Sequence, residues 1–162
     1  MNKVYANLDA KKFRTLSTAL LLLCDFMILG FLYKKFTDKD MFNRLLGLTA
    51  KINPQINSSD LTPALSSQLY ELMTNFLLTA LCVVLLYHLF IYFFWVKEKK
   101  FAANYIALYV WIAAPSTLIG ALMGLTDNFF QSLLFLIWAA LFFFVAFGLS
   151  QFPIRAKKIE VK

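Results

Sequence analysis

"TLSTALLLLCDFMILGFLY", Thr15–Tyr33, is an almost unbroken apolar run with a single acid, Asp25, inside it. A run of about 19 residues covers the roughly 30 Å hydrocarbon core of a bilayer at about 1.5 Å per helical residue. Lipid offers no partners to backbone amides, so a segment of this kind must be helical. Three more runs of similar length follow: Leu72–Val96, Ala102–Leu125 and Phe129–Ser150. The 162-residue chain is 60% hydrophobic and 15% charged, with a mean hydropathy of +0.67. A soluble domain carries about a quarter charged residues. The sequence therefore predicts an all-α integral membrane protein, a bundle of four transmembrane helices in one domain over residues 1–162. The spans cover about 15–33, 72–96, 102–125 and 129–150, with an outer loop over 34–70.

The first run is expected to stay in the protein. It is longer than a signal-peptide core of about 7–15 residues, and no small-x-small cleavage site follows it. Leu23 precedes Cys24 where a lipid-attachment site would want a small residue. Orientation comes from the basic residues. Eleven of the 16 lysines and arginines fall in the N-terminal lead-in, the turn Lys97–Lys100 and the C-terminal tail. The other five lie in or next to the loop 34–70, with Lys34 and Lys35 directly after the first span as a contrary signal. The excess puts both termini in the cytoplasm and fits a bacterial inner membrane. It also accounts for the net charge of +7 without nucleic acid, since topology and anionic headgroups both favour cations there.

Local signals sharpen the elements. Asp9 can cap a helix that starts near Ala10. Within the outer loop, Met41, Phe42, Leu45, Leu46 and Leu48 recur at helical spacing, which predicts a short amphipathic helix over Asp40–Ile52. Its expected place is the outer membrane boundary or the tops of the spans. Asn53-Pro54 should stop it, and Gln55–Asp60 should form a polar turn. Thr62-Pro63 restarts the chain with a threonine cap and a proline in the first helical position. Nothing breaks the pattern from Pro63 to Val96, so the second spanning helix is expected to be extended, about 50 Å long, projecting as a stalk. Tyr87, Tyr92 and Trp95 form an aromatic belt before Lys97. Thr126-Asp127 is expected to cap the last helix and Pro153 to end it.

Chemistry is sparse. Polar and small residues on a span usually face protein. Ala113, Thr117, Gly120 and Gly124 share one face of the third span, and Ser132, Ala139, Ala146 and Ser150 form a narrow stripe on the fourth. Internal packing is the expected use of these stripes, with homo-oligomer formation as the alternative. Pro115 frees the carbonyl of Trp111, which Ser116 or Thr117 is placed to satisfy. Asp25 lies near mid-membrane, where an ionised carboxylate costs about 2.5–3.5 kcal/mol on the lenient insertion scale. The sole histidine, His88, lies about 14 Å from the Lys97 end. If the first two spans run antiparallel, Asp25 and His88 share a depth and form a buried pair. Such a pair can carry a proton or clasp two helices. Asp25 alone can instead meet a basic group on another subunit.

Enzyme readings lack a constellation. One histidine and two separated cysteines make no metal set, no base flanks a serine nucleophile, and no cofactor motif appears. The sequence points to a non-enzymatic scaffold or accessory subunit of a membrane complex, whose partners are the lipid bilayer and other membrane subunits. The alternative is a small transporter or channel subunit using Asp25 and His88.

Overall fold

The structure, a computed structural model, describes residue 5 and residues 8–52, 62–125 and 128–152. Among the described residues all regular structure is helical: α1 (Ala10–Phe36), α2 (Lys39–Ile52), α3 (Pro63–Val96), α4 (Lys100–Gly124) and α5 (Phe129–Gln151). Four of the five, all but α2, are long and apolar enough to cross a membrane.

Side chains fix the starts of every helix but α4. Asp9 Oδ1 accepts from the Lys12 amide at 2.7 Å, which holds its carboxyl below the usual carboxylate range. Thr62 Oγ1 accepts from the Leu65 amide at 3.3 Å, directly ahead of Pro63. Two expectations shift. The loop helix begins at Lys39, one residue before the expected Asp40, because Asp38 caps it, accepting from the Met41 amide at 3.0 Å. The cap of α5 is Asn128, whose side chain accepts from the Gln131 amide at 3.1 Å. It is the last of three consecutive capping-type residues, and Thr126 and Asp127 lie outside the described residues, as do Asn53-Pro54, the turn 55–60 and Pro153.

Contacts divide the chain into two compact units, Met1–Cys24 with His88–Lys162, and Asp25–Tyr87. In the first unit α4 and α5 form the most extensive helix pair. Ala102, Ile106, Val110, Ala114 and Ala121 line one buried face of α4. From α5 come Ser132, Trp138, Ala139, Phe142, Val145, Ala146 and Gly148. The start of the chain packs into the same unit. Phe13 is fully buried, stacked on Phe152 at 4.9 Å. It is seated on Gly148, where a Cβ would come within 2.2 Å of its ring. Tyr5 donates its hydroxyl to the Phe144 carbonyl at 2.6 Å, and burial raises the pKa of that phenol.

The unit Asp25–Tyr87 is built differently. Its α3 is tied to the α1–α2 junction: Tyr70 donates to the Thr37 carbonyl at 2.6 Å and meets the Phe42 ring edge-on at 5.4 Å. Lys39 lies over the Tyr70 ring at 5.4 Å. Along α3 no residue from Pro63 to Tyr87 is buried, and the buried positions begin at His88 and continue through Ile91, Tyr92 and Trp95.

Candidate functional site

The first unit gathers a set of polar groups that a lipid-facing surface would not hold. The buried edge of α1 carries Arg14 and Ser17, 8% and 0% exposed. Arg14 pairs with Glu98 in the turn between α3 and α4, and its Nε has no hydrogen-bond partner among the described residues. One turn along, Ser17 Oγ accepts from the indole N–H of the fully buried Trp95 at 3.3 Å. Its own hydroxyl bonds to the Arg14 carbonyl at 3.0 Å.

The Glu98 backbone carries strain that explains this geometry. The Lys99 amide bonds back to the Phe94 carbonyl and the Glu98 amide to the Trp95 carbonyl, both at 3.0 Å. That pair of hydrogen bonds is the Schellman ending of a helix, with Glu98 in the left-handed position normally given to glycine. Glu98 has φ 61°, and a side chain in that region costs about 1–2 kcal/mol. The carboxylate carried at this position reaches Arg14. Sequence reasoning counted Arg14 only as a topology charge and gave Glu98 no role. They are 84 positions apart, and nothing local in glutamate signals a left-handed turn.

His88 is 7% exposed. Its Nε2 lies 2.9 Å from the Tyr105 hydroxyl, so the tautomer decides which group donates. The rings of Tyr109 and Tyr92 lie 4.8 and 5.8 Å away, and Phe142 meets Tyr109 edge-on. The arrangement is an imidazole–phenol hydrogen bond walled by aromatics. It can hold or pass a proton between the His88 ring nitrogen and the Tyr105 hydroxyl oxygen, and it equally satisfies a buried histidine. Sequence reasoning did not weigh tyrosine as a partner for His88. Asp25 is 3% exposed and follows Cys24 in the buried series Phe13, Arg14, Ser17, Leu21, Cys24 along α1. It belongs to the unit Asp25–Tyr87, whereas His88 belongs to the other.

The helix-packing residues are placed as follows. Ala113, Thr117, Gly120 and Gly124 are half-buried, and the deepest α4 positions are their neighbours Ala114 and Ala121. A Cβ on Gly120 would touch Phe135 at 3.5 Å, and one on Gly124 would come within 2.8 Å of Ser132 Oγ. That oxygen is buried without a partner among the described residues. Ala139 and Ala146 are buried on α5, and Ser150 is exposed, bonding the Phe147 carbonyl. Around Pro115 the hydroxyls do not take the Trp111 carbonyl. Ser116 bonds Ile112 at 2.7 Å, and Thr117 bonds Ala113 and Ala114. Each hydroxyl reaches back three or four residues along its own helix, the distance its short side chain allows.

Among the described residues no group of three or more His, Cys, Asp or Glu is arranged to hold a metal ion. No protein-family model, curated protein or solved structure matches the chain.

Proposed function

We propose that this chain is a non-enzymatic scaffold or accessory subunit of a larger membrane complex, set in a bacterial inner membrane with both termini cytoplasmic. The observation that carries the reading is α3. None of its residues from Pro63 to Tyr87 is fully buried against its own chain, and Leu72, Phe76, Val83 and Leu86 stand 60–75% exposed. A helix this long and uncovered suits a chain whose neighbours complete it, because small and apolar faces in a bilayer associate by packing against other helices. The orientation draws support from contacts within one unit. Arg14 meets Glu98 and Tyr5 meets Phe144, bringing the chain start, the lysine-rich turn and the last turns of α5 to one end.

The test is site-specific photo-crosslinking in native membranes from Val83 and Leu86, with Trp138, buried in α5, as the control. A subunit gives one discrete heavier adduct from the α3 positions. Adducts to lipid alone at both positions would refute the reading.

A second reading, a small transporter or channel subunit using Asp25 and His88, draws on the burial of two ionisable side chains in helices long enough to span. Purified protein in liposomes would then conduct protons or solute, and Asp25→Asn would abolish the flux. A double-mutant cycle of Asp25→Asn and His88→Ala in detergent melting tests the pairing itself, and additive losses would remove it.

A further inference from the structure

We propose that α2 is an interfacial lipid anchor, seated in the headgroup layer of the outer membrane face. Its outward stripe takes up acyl chain, and Arg44 and Lys51 bind lipid phosphate. The proposal rests on the reading of the chain as membrane-spanning.

The helix has two apolar edges with different fates. One edge is used: Phe42 is buried against Tyr70, and Leu46 beside it is half-buried. The other edge is left over. Leu45, Leu48 and Ile52 are 47%, 53% and 80% exposed. With half-buried Met41 they recur at steps of three and four, which places all four within about 60° of arc at 3.6 residues per turn. A helix resting on water would gain nothing from that stripe. Arg44 and Lys51 border it on the side away from Phe42, both exposed, and Lys34 and Lys35 end α1 just before it. An apolar stripe with a cationic border fits a phosphate-bearing lipid surface better than a protein groove of unspecified charge.

The level agrees. Tyr70 is bonded to the Thr37 carbonyl, so it marks the height at which α1 hands over to α2. Tyr70 lies two turns into α3, whose 34 residues come to about 50 Å at helical rise, more than a bilayer of about 40–45 Å with its headgroups. A tyrosine at that level is itself an interfacial residue.

The experiment places one nitroxide at a time at residues 43, 45, 47, 48, 52 and 83 in a Cys82→Ala background. The full-length protein is reconstituted in phosphatidylcholine vesicles with or without phosphatidylglycerol, and collision with oxygen is compared with collision with a water-soluble nickel complex. The expected result is an oxygen-to-nickel ratio severalfold higher at 45, 48 and 52 than at 43 and 47, and highest at 83. Adding phosphatidylglycerol should raise the ratio at 48, and Arg44→Gln with Lys51→Gln should cancel that rise. A high ratio at 83 with 45, 48 and 52 as nickel-accessible as 47 overturns the anchor and leaves the spanning reading intact, as does a stripe shielded from both reagents by a second protein copy. A water-like ratio at 83 overturns both.

Discussion

The unit containing α4 and α5 and the unit Asp25–Tyr87 draw on the same apolar alphabet and bury it to very different degrees. In the first, Trp95, Phe13, Ile106, Val110, Phe142 and Val145 lose essentially all exposure. In the second, only Asp25 and Phe42 are buried among the described residues. Hydrophobicity therefore does not decide what is core in this chain, since a side chain in a bilayer gains little by leaving lipid for protein. Shape decides it. The first unit offers a glycine seat, Gly148 under the Phe13 ring, and small buried residues such as Ala102 and Ala114 along α4. The second offers Gly30 and Gly47, around which no atom lies within 4 Å of a would-be Cβ.

That contrast can be broken by mutation. Trp95→Ala should cost about 3 kcal/mol or more, as truncating a buried aromatic does, whereas Leu86→Ala, 65% exposed, should leave the melting midpoint in detergent nearly unchanged. Equal losses from both would erase the distinction. Next in size is Gly148→Ala. Phe13 is boxed by Phe152, Phe144 and Tyr5 and cannot swing clear, so overpacking should cost about 1–3 kcal/mol. Gly47→Ala, in open space within α2, should instead stabilise by up to about 1 kcal/mol. Chemical denaturation of the two variants side by side checks the opposite signs.

Smaller still is the effect at Glu98. Glycine relieves the left-handed strain that alanine keeps, and both lose the contact with Arg14. Glu98→Gly should therefore be more stable than Glu98→Ala by about 1 kcal/mol. The reverse order would mean the turn is not held as described. The smallest effect concerns Asp9. Its carboxyl pKa is lowered, chiefly by the Lys12 amide, so its contribution is present above the ordinary carboxylate value and is lost as pH falls through the lowered one. Helicity of wild type and Asp9→Asn should converge in an acid titration monitored by circular dichroism.

Much of the architecture was legible in the sequence for a reason particular to membranes. Backbone satisfaction in lipid forces long apolar runs into helices, and Thr62-Pro63 and Lys97 mark both ends of α3 with chemistry that has one reading. Where several residues offered the same chemistry, as at Thr126-Asp127-Asn128, the choice lay in backbone angles and was illegible. The candidate site was legible only in part. Burial of Asp25 and His88 follows from the cost of placing them in lipid. The Tyr105 partner, the Arg14–Glu98 pair and the Phe13 seat join residues far apart in sequence, and no local pattern announces them.

The central claim is that four helices cross the bilayer and leave the chain start, the Lys97–Lys100 turn and the tail on one side. Asn57→Cys, Lys99→Cys and Lys158→Cys, each in a Cys82→Ala background, can be treated with a membrane-impermeant maleimide from outside intact cells. The account predicts that residue 57 alone is labelled, with 99 and 158 reacting only after permeabilisation. Labelling at 99 or 158 in intact cells, or none at 57, would contradict it.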